Sequence, residues 1–332
     1  MSIIAKKDER LEHLRVVACF LVILGHISNW YMRAFPQLSL NSYICSLLFN
    51  GICRVSVPIF FMISGALILE QQTDYKKNNK RTLSLFIKTI IWIAVFMLWD
   101  YLYLGDFYDL GMILTSPIRV HFWFLYVMLG IYITIPLWQK LTEGDSKKLM
   151  CYFSVLFLCV LGAKFALNMA KIQVSYEIPL IETSVYAGYF IMGYVLRHYK
   201  DEIKIPRWVC ALVFLGCAAA TTLLTLFESI KMNRHVEIYC DFRSVFIGIG
   251  ALCVFLFVMK SKEPAHRPWV SVISAHTFNI YMIHVFFLDI IQQNIDITKF
   301  TAWLGFPVFF IFLFSLSFGF SFIIGKITKN KI

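Results

Sequence analysis

Leu14-Arg-Val-Val-Ala-Cys-Phe-Leu-Val-Ile-Leu-Gly-His-Ile-Ser-Asn-Trp-Tyr-Met32 carries one formal charge in nineteen residues. A helix needs about 20 mostly apolar residues to cross the hydrocarbon core of a bilayer. The run exceeds the roughly 7–15 apolar residues of a secretory leader, and no small-residue cleavage site follows it. It reads as a retained first membrane helix.

The same reading extends outward along the chain. Apolar segments recur at 14–32, 43–69, 83–104, 121–138, 149–168, 183–198, 208–228, 242–260, 270–292 and 303–325. Pro58 inside the second segment removes a backbone donor and predicts a kink. The composition agrees: 59% of the 332 residues are hydrophobic and 15% are charged, with a mean hydropathy of +0.70. Soluble domains average about 45–50% apolar and about 25% charged. The expected fold is an all-α polytopic membrane protein of about ten transmembrane helices, built as a single membrane domain over residues 1–332.

Net charge is +11, which can signal a nucleic-acid partner. Here the basic residues fall in loops between apolar runs, so no nucleic acid is expected. One alternating set of loops holds twenty Lys and Arg, and the other holds Arg33, Arg119, Lys171, Lys231, Arg234 and Lys299. The positive-inside rule then predicts cytoplasmic N- and C-termini. The nine cysteines form no CxxC and lack metal-ligand spacing; they read as small packing hydrophobes, and no metal is expected.

Ionisable groups at membrane depth usually face a protein interior or an aqueous cavity. Arg15 and His26 are eleven helical steps apart, about 20° from three full turns, so they share a face about 16 Å apart along the axis. A lone membrane His is often a hydrogen-bonded core residue; the aligned Arg argues for a cationic site and a titratable ring on one path. Arg54 lies mid-segment, where an ion pair with Asp100 or Glu182 is the plainer reading. Lys88 lies near a segment end, where it can snorkel. Tyr281 and His284 are three residues apart and share a helix face. His121, Trp123 and Tyr126 read either as an interfacial aromatic belt or as a site near the outer surface.

Taken in order, these motifs resemble the membrane acyltransferase family 3, which O-acylates cell-envelope carbohydrates. The likeness rests on Arg15-x10-His26; on Arg54-Val-Ser-Val-Pro-Ile-Phe-Phe-Met-Ile-Ser-Gly65; and on His121-Phe-Trp-Phe-Leu125. It continues in Tyr186-Ala-Gly-Tyr-Phe-Ile-Met-Gly193 and Ser274-Ala-His-Thr-Phe-Asn-Ile-Tyr-Met-Ile-His284. Within the family the chain is most similar to the short, single-domain members, of which the O-acetyltransferase of enterobacterial common antigen is one. Larger members append a soluble domain, and none is expected here.

The resemblance implies a multi-pass enzyme of the bacterial inner membrane that uses acetyl-CoA as donor and a lipid-linked or envelope glycan as acceptor. Arg15, Arg54, Lys88 and Ser64 are the expected donor contacts. His26, Arg15, Tyr281 and His284 are the expected catalytic group, with His26 as general base or as a nucleophile forming acetyl-imidazole. His121, Trp123 and Tyr126 are the expected acceptor contacts. Asp100, Glu182 and Asp289 would either orient an imidazole or pair with Arg. Membrane lipid surrounds the chain, and a homo-oligomer is left open. A glycan transporter or flippase, or a non-catalytic export module, also fits ten spans with buried charges. A transporter should ignore CoA, and a module should keep its phenotype in His26→Ala.

Overall fold

The computed structural model describes residues 8–108, 111, 116–143, 147–170 and 179–327; the side chains of residues 168, 179–184 and 327 are not described. Every regular element among the described residues is helical. The twelve α-helices are α1 (Glu9–Arg33), α2 (Leu40–Cys53), α3 (Ser56–Ile68), α4 (Tyr75–Trp99), α5 (Trp123–Ile133) and α6 (Ile135–Thr142). They continue with α7 (Lys147–Met169), α8 (Pro179–His198), α9 (Arg207–Met232), α10 (Val245–Met259), α11 (Pro268–Asn294) and α12 (Ala302–Ile327).

Eight segments are long and apolar enough to cross a membrane, and α5 with α6, bent by 57°, makes a ninth. With α8 included, these elements fall one for one on the ten apolar segments of the sequence. The protein is thus an all-helical, multi-pass membrane protein.

Local chemistry fixes the ends. The Asp8 side chain caps α1 by accepting from the Arg10 N–H, and Glu9 and Glu12 suit the positive end of the helix dipole. Burial pushes the Asp8 carboxyl up, but Arg10 and Arg197 outweigh it and hold it below its ordinary value. Asp74 caps α4 by accepting from the Lys77 N–H. Beyond α4 the helix widens into a π-turn, Asp100–Leu104, and the chain leaves it through Gly105 at φ 75°.

The kink expected at Pro58 is a break. Helix α2 ends at Cys53 and α3 begins at Ser56. A prolyl ring clashes with the carbonyl four residues before it, and for Pro58 that carbonyl belongs to Arg54. The interruption therefore falls at Arg54–Val55, and the ladder resumes with Ile59 N–H donating to Val55 O.

Packing is closest between α3 and α8. A Cβ on Gly65 would lie 1.7 Å from the Phe190 carbonyl oxygen, and one on Gly193 would lie 2.0 Å from that of Met62. The two backbones touch through reciprocal glycines, a common way for membrane helices to approach. Both glycines end motifs quoted from the sequence, and contact explains them without any chemistry.

The loops sort to two ends. At one end Arg197 pairs with Glu70 at 2.9 Å and with Asp8 at 3.4 Å, and Arg10 donates to the Met259 carbonyl. At the other end Tyr43 meets His235, Ser42 receives the Ala302 N–H, and Arg119 meets Asp100 and Asp289. His276 contacts Ser321 at 2.8 Å, so α12 returns toward the end at which α1 begins.

Candidate active site

Helices α1, α3, α5 and α11 surround a cavity of about 170 Å³ whose lining includes Arg15, Ser64, Tyr132, Thr277, Phe278 and Tyr281. Three of the residues singled out in the sequence, Arg15, Ser64 and Tyr281, thus meet in one space. Arg15 Nη1 donates to Glu12 Oε1 at 3.1 Å and to Ser274 Oγ at 3.2 Å. Both bonds use one nitrogen of the fork. The Lys88 ammonium lies 5.6 Å from the centroid of the Phe278 ring, within cation–π range. It therefore reaches the cavity wall from α4.

From Tyr281 the chemistry continues along α11. The Tyr281 and His284 rings are 5.9 Å apart, and the His284 and His26 rings meet edge to face at 4.9 Å. Tyr281 Oη donates to the His121 carbonyl at 2.7 Å, and its ring is 6.1 Å from that of His121. Two imidazoles, those of His121 and His284, thus flank one tyrosine, and His26 from α1 lies against His284. His284 and His121 are buried, and the Nε2 of each has no partner among the described residues. His284 Nδ1 lies 3.2 Å from the Ile280 carbonyl oxygen. A carbonyl can only accept, so Nδ1 carries the hydrogen and Nε2 is left with a free lone pair. The His26 ring makes no hydrogen bond among the described residues.

Arg54 stands apart from Arg15. Its Nε donates to Asn50 Oδ1 at 3.0 Å and its Nη2 to Asn29 Oδ1 at 3.1 Å. Asn50 in turn donates to Ser28 Oγ at 2.8 Å. Of the two acids expected as its partner, only Asp100 can be placed. Asp100 is buried and taken by Arg119 at 2.6 Å, and the Glu182 side chain lies outside the described residues. The break before Pro58 turns the guanidinium toward α1, so neutral amides hold it and it makes no ion pair among the described residues. Its other face lies 5.1 Å from the Phe242 ring.

Trp123 belongs to the same quarter, with ring centroids 5.0 Å from Tyr186 and 5.5 Å from Phe242. Tyr126 packs instead in the cluster built on Trp92, Phe96 and Met282. The two aromatics read together in the sequence thus face different neighbours. Asp289 also belongs to an ion-pair network, accepting from Arg119 Nη2 at 3.0 Å and from Trp99 Nε1 at 3.2 Å. Burial works against the Arg119 charge, yet Asp100 and Asp289 offset it and hold that guanidinium above its ordinary value.

The sequence reading passed over Asn29, Asn50 and Phe242, and it quoted Tyr186 only as part of a motif. Asn29 had a signal: it lies three residues after His26, close to the same helix face. Asn50 had only its polarity within an apolar run.

The arrangement offers a guanidinium at one end of a narrow cavity, a phenol in its wall, and beyond the phenol a pair of imidazole rings suited to moving a proton. Among the described residues, Glu12 is committed to Arg15, and Asp100 and Asp289 to Arg119. The described residues hold no cluster of His, Cys, Asp and Glu fit for a metal ion. A family model described as an acyltransferase domain matches residues 8–326. No curated protein and no solved structure matches the chain.

Proposed function

Since this chain belongs to the acyltransferase family whose domain spans it almost end to end, we propose that it moves an acetyl group from acetyl-CoA to a hydroxyl of a lipid-linked envelope glycan in the bacterial inner membrane. The observation that carries the reading is the meeting of Arg15, Ser64 and Tyr281 on one cavity, with Tyr281 leading to the His284–His26 pair. The order and spacing of the family motifs support the acceptor class.

In this reading the donor enters from the cytoplasmic side, where the basic loops raise the local concentration of a polyanion. Arg15 binds a phosphate or the thioester carbonyl through the nitrogens that Glu12 and Ser274 leave free, as a guanidinium fork suits. Lys88 adds positive charge at the cavity wall. The pantetheine arm lies along the cavity and brings the thioester toward Tyr281.

His26 takes the proton of the acceptor hydroxyl as the oxygen attacks the thioester carbon. The carbonyl electrons move onto oxygen, and Tyr281 stabilises that oxyanion by turning its hydroxyl away from the His121 carbonyl to which it otherwise donates. Collapse breaks the C–S bond, and the proton held on His26 goes to the departing thiolate. His284 packs edge to face on His26 with centroids 4.9 Å apart and holds that ring in place from behind. This direct transfer uses one base and needs no acetyl-imidazole.

Arg54 is moved in this reading from the donor to the acceptor. It lies beside Trp123, Tyr186 and Phe242, whose faces suit the apolar face of a sugar ring, and its contacts are amides that a ligand can replace. The test is equilibrium binding of acetyl-CoA to the purified chain, with Arg15→Gln as comparison. Saturable binding weakened by that substitution supports the enzyme; a chain that ignores CoA points to a transporter.

A further inference from the structure

The end of the bundle near Tyr43 and His235 carries a hollow of about 580 Å³, separate from the cavity just described and lined by Arg33, Phe35, Arg234, His235 and Glu237 among others. Arg33 is the last residue of α1. Arg234 follows the end of α9, where Asn233 adopts φ 49° and the Arg234 N–H returns to the Ser229 carbonyl. That 6→1 bond is the Schellman way of closing a helix, and it fixes where Arg234 leaves the backbone. His235 is fixed as well: its Nδ1 lies 3.0 Å from Tyr43 Oη, Phe35 stacks on Tyr43 at 4.2 Å, and the Val236 N–H donates to Ser229 Oγ.

Arginines at helix C-termini are ordinary, because the dipole favours them. Their convergence without counter-ions is less so. Three other cations at this end are matched, Arg119 by Asp100 and Asp289, Arg243 by Asp241, and Lys299 by Asp296, whereas Lys231 in the last turn of α9 makes no ion pair among the described residues. Arg33 and Arg234 make no ion pair among the described residues, though they line one hollow. Two guanidiniums can grip a single phosphate from two sides. Glu237 limits the net charge of the lining, so the hollow suits one phosphate better than a polyanion such as CoA.

Position along α1 gives the hollow its meaning. Arg33 follows His26 by seven residues, about 20° short of two turns and about 10 Å along the axis. Arg15, His26 and Arg33 therefore form one line on one helix. We propose that the Arg33–Arg234 hollow binds the phosphate of a lipid-borne acceptor and so sets which hydroxyl reaches His26. The proposal rests on the acyltransferase reading for the role of His26. At that spacing the acetylated hydroxyl belongs to the first or second sugar after the phosphate.

The test uses the full chain in phosphatidylcholine nanodiscs, titrated with farnesyl phosphate, with farnesol, and separately with acetyl-CoA. Wild type should bind farnesyl phosphate at least tenfold more tightly than farnesol. The double variant Arg33→Gln/Arg234→Gln should lose that preference and bind acetyl-CoA as wild type does, which also reports its folding. Equal binding of the phosphate and the alcohol by wild type, or an unchanged preference in the double variant, overturns the proposal. Nanodiscs of phosphatidylglycerol separate the sources. If that lipid abolishes farnesyl phosphate binding, the hollow takes bulk headgroups and the acceptor assignment is overturned; if binding persists, the assignment stands. Farnesyl phosphate binding without any acetyl-CoA binding would remove the acyltransferase reading and leave the phosphate site in place.

Discussion

The rings of His26 on α1 and His284 on α11 meet edge to face with centroids 4.9 Å apart, while the Nδ1 of His284 is tied to the Ile280 carbonyl. The second ring is therefore fixed in one tautomer, with its lone pair free. If the two act as a unit, their losses should not add. His284→Ala is expected to lower kcat by about tenfold or more, with the KM for acetyl-CoA nearly unchanged. His26→Ala should cost about 10²–10⁴-fold, and the double variant should be no worse than His26→Ala alone. Steady-state rates of the three variants check this, and additive losses would separate the residues.

Arg15 and Arg54 should part company in binding. Hydrogen bonds to charged groups contribute about 1.5–3 kcal/mol, so Arg15→Gln is expected to weaken acetyl-CoA binding by at least about tenfold. Arg54→Gln, whose parent side chain is held by Asn29 and Asn50, should leave that affinity unchanged and raise the KM for the acceptor. Calorimetry and acceptor titrations on the two variants distinguish these outcomes.

Gly65 and Gly193 are expected to tolerate no methyl group. A Cβ would meet a backbone carbonyl oxygen at 1.7 or 2.0 Å, and backbone cannot yield as a side chain can. Overpacking costs roughly 1–3 kcal/mol and sometimes more. Each Gly→Ala variant should melt several degrees lower in detergent, whereas Gly130→Ala, with open space around its Cβ, should melt like wild type.

Asp100 is fully buried and is paired with Arg119, which also reaches Asp289. Removing one partner of a buried pair costs about 3–5 kcal/mol because the other charge is stranded. Arg119→Leu, which strands both Asp100 and Asp289, should therefore lower thermal stability, and adding Asp100→Asn and Asp289→Asn should recover part of the loss.

Acid should act partly through His235. Burial pushes its imidazole down to about 4 from an ordinary value near 6.5. A depressed value means that the unfolded chain takes up the proton first. The contribution to stability is thus complete above about pH 6.5 and is lost as pH falls toward about 4. The melting temperature of wild type minus that of His235→Gln should be constant above pH 6.5 and shrink between 6.5 and 4. A difference that does not change with pH would contradict this.

Much of the fold was legible because bilayer thickness sets helix length. The apolar runs fall on the observed helices, and the eleven-residue spacing put Arg15 and His26 on one face before any coordinates did. Pro58 announced a disturbance. What the sequence could not say is that the break would land on Arg54 and turn it toward Asn29 and Asn50, since that depends on how α2 lies against α1. The Arg119–Asp289 bond alone joins residues 170 positions apart, beyond the reach of local pattern. Trp123 and Tyr126 share a helix turn, yet tertiary packing gives one to Tyr186 and Phe242 and the other to the α4 cluster. Gly65 and Gly193 looked like parts of catalytic motifs and serve helix contact.

The most direct test of the central claim is acetyl transfer in sealed membrane vesicles. Radiolabelled acetyl-CoA is supplied at the cytoplasmic face, with wild type and His26→Ala brought to equal amounts of folded protein. Label should enter the glycolipid fraction with wild type and fall by about 10²-fold or more with the variant. Equal labelling by both proteins, or none with a folded wild type that also fails to bind acetyl-CoA, would contradict the proposed transfer.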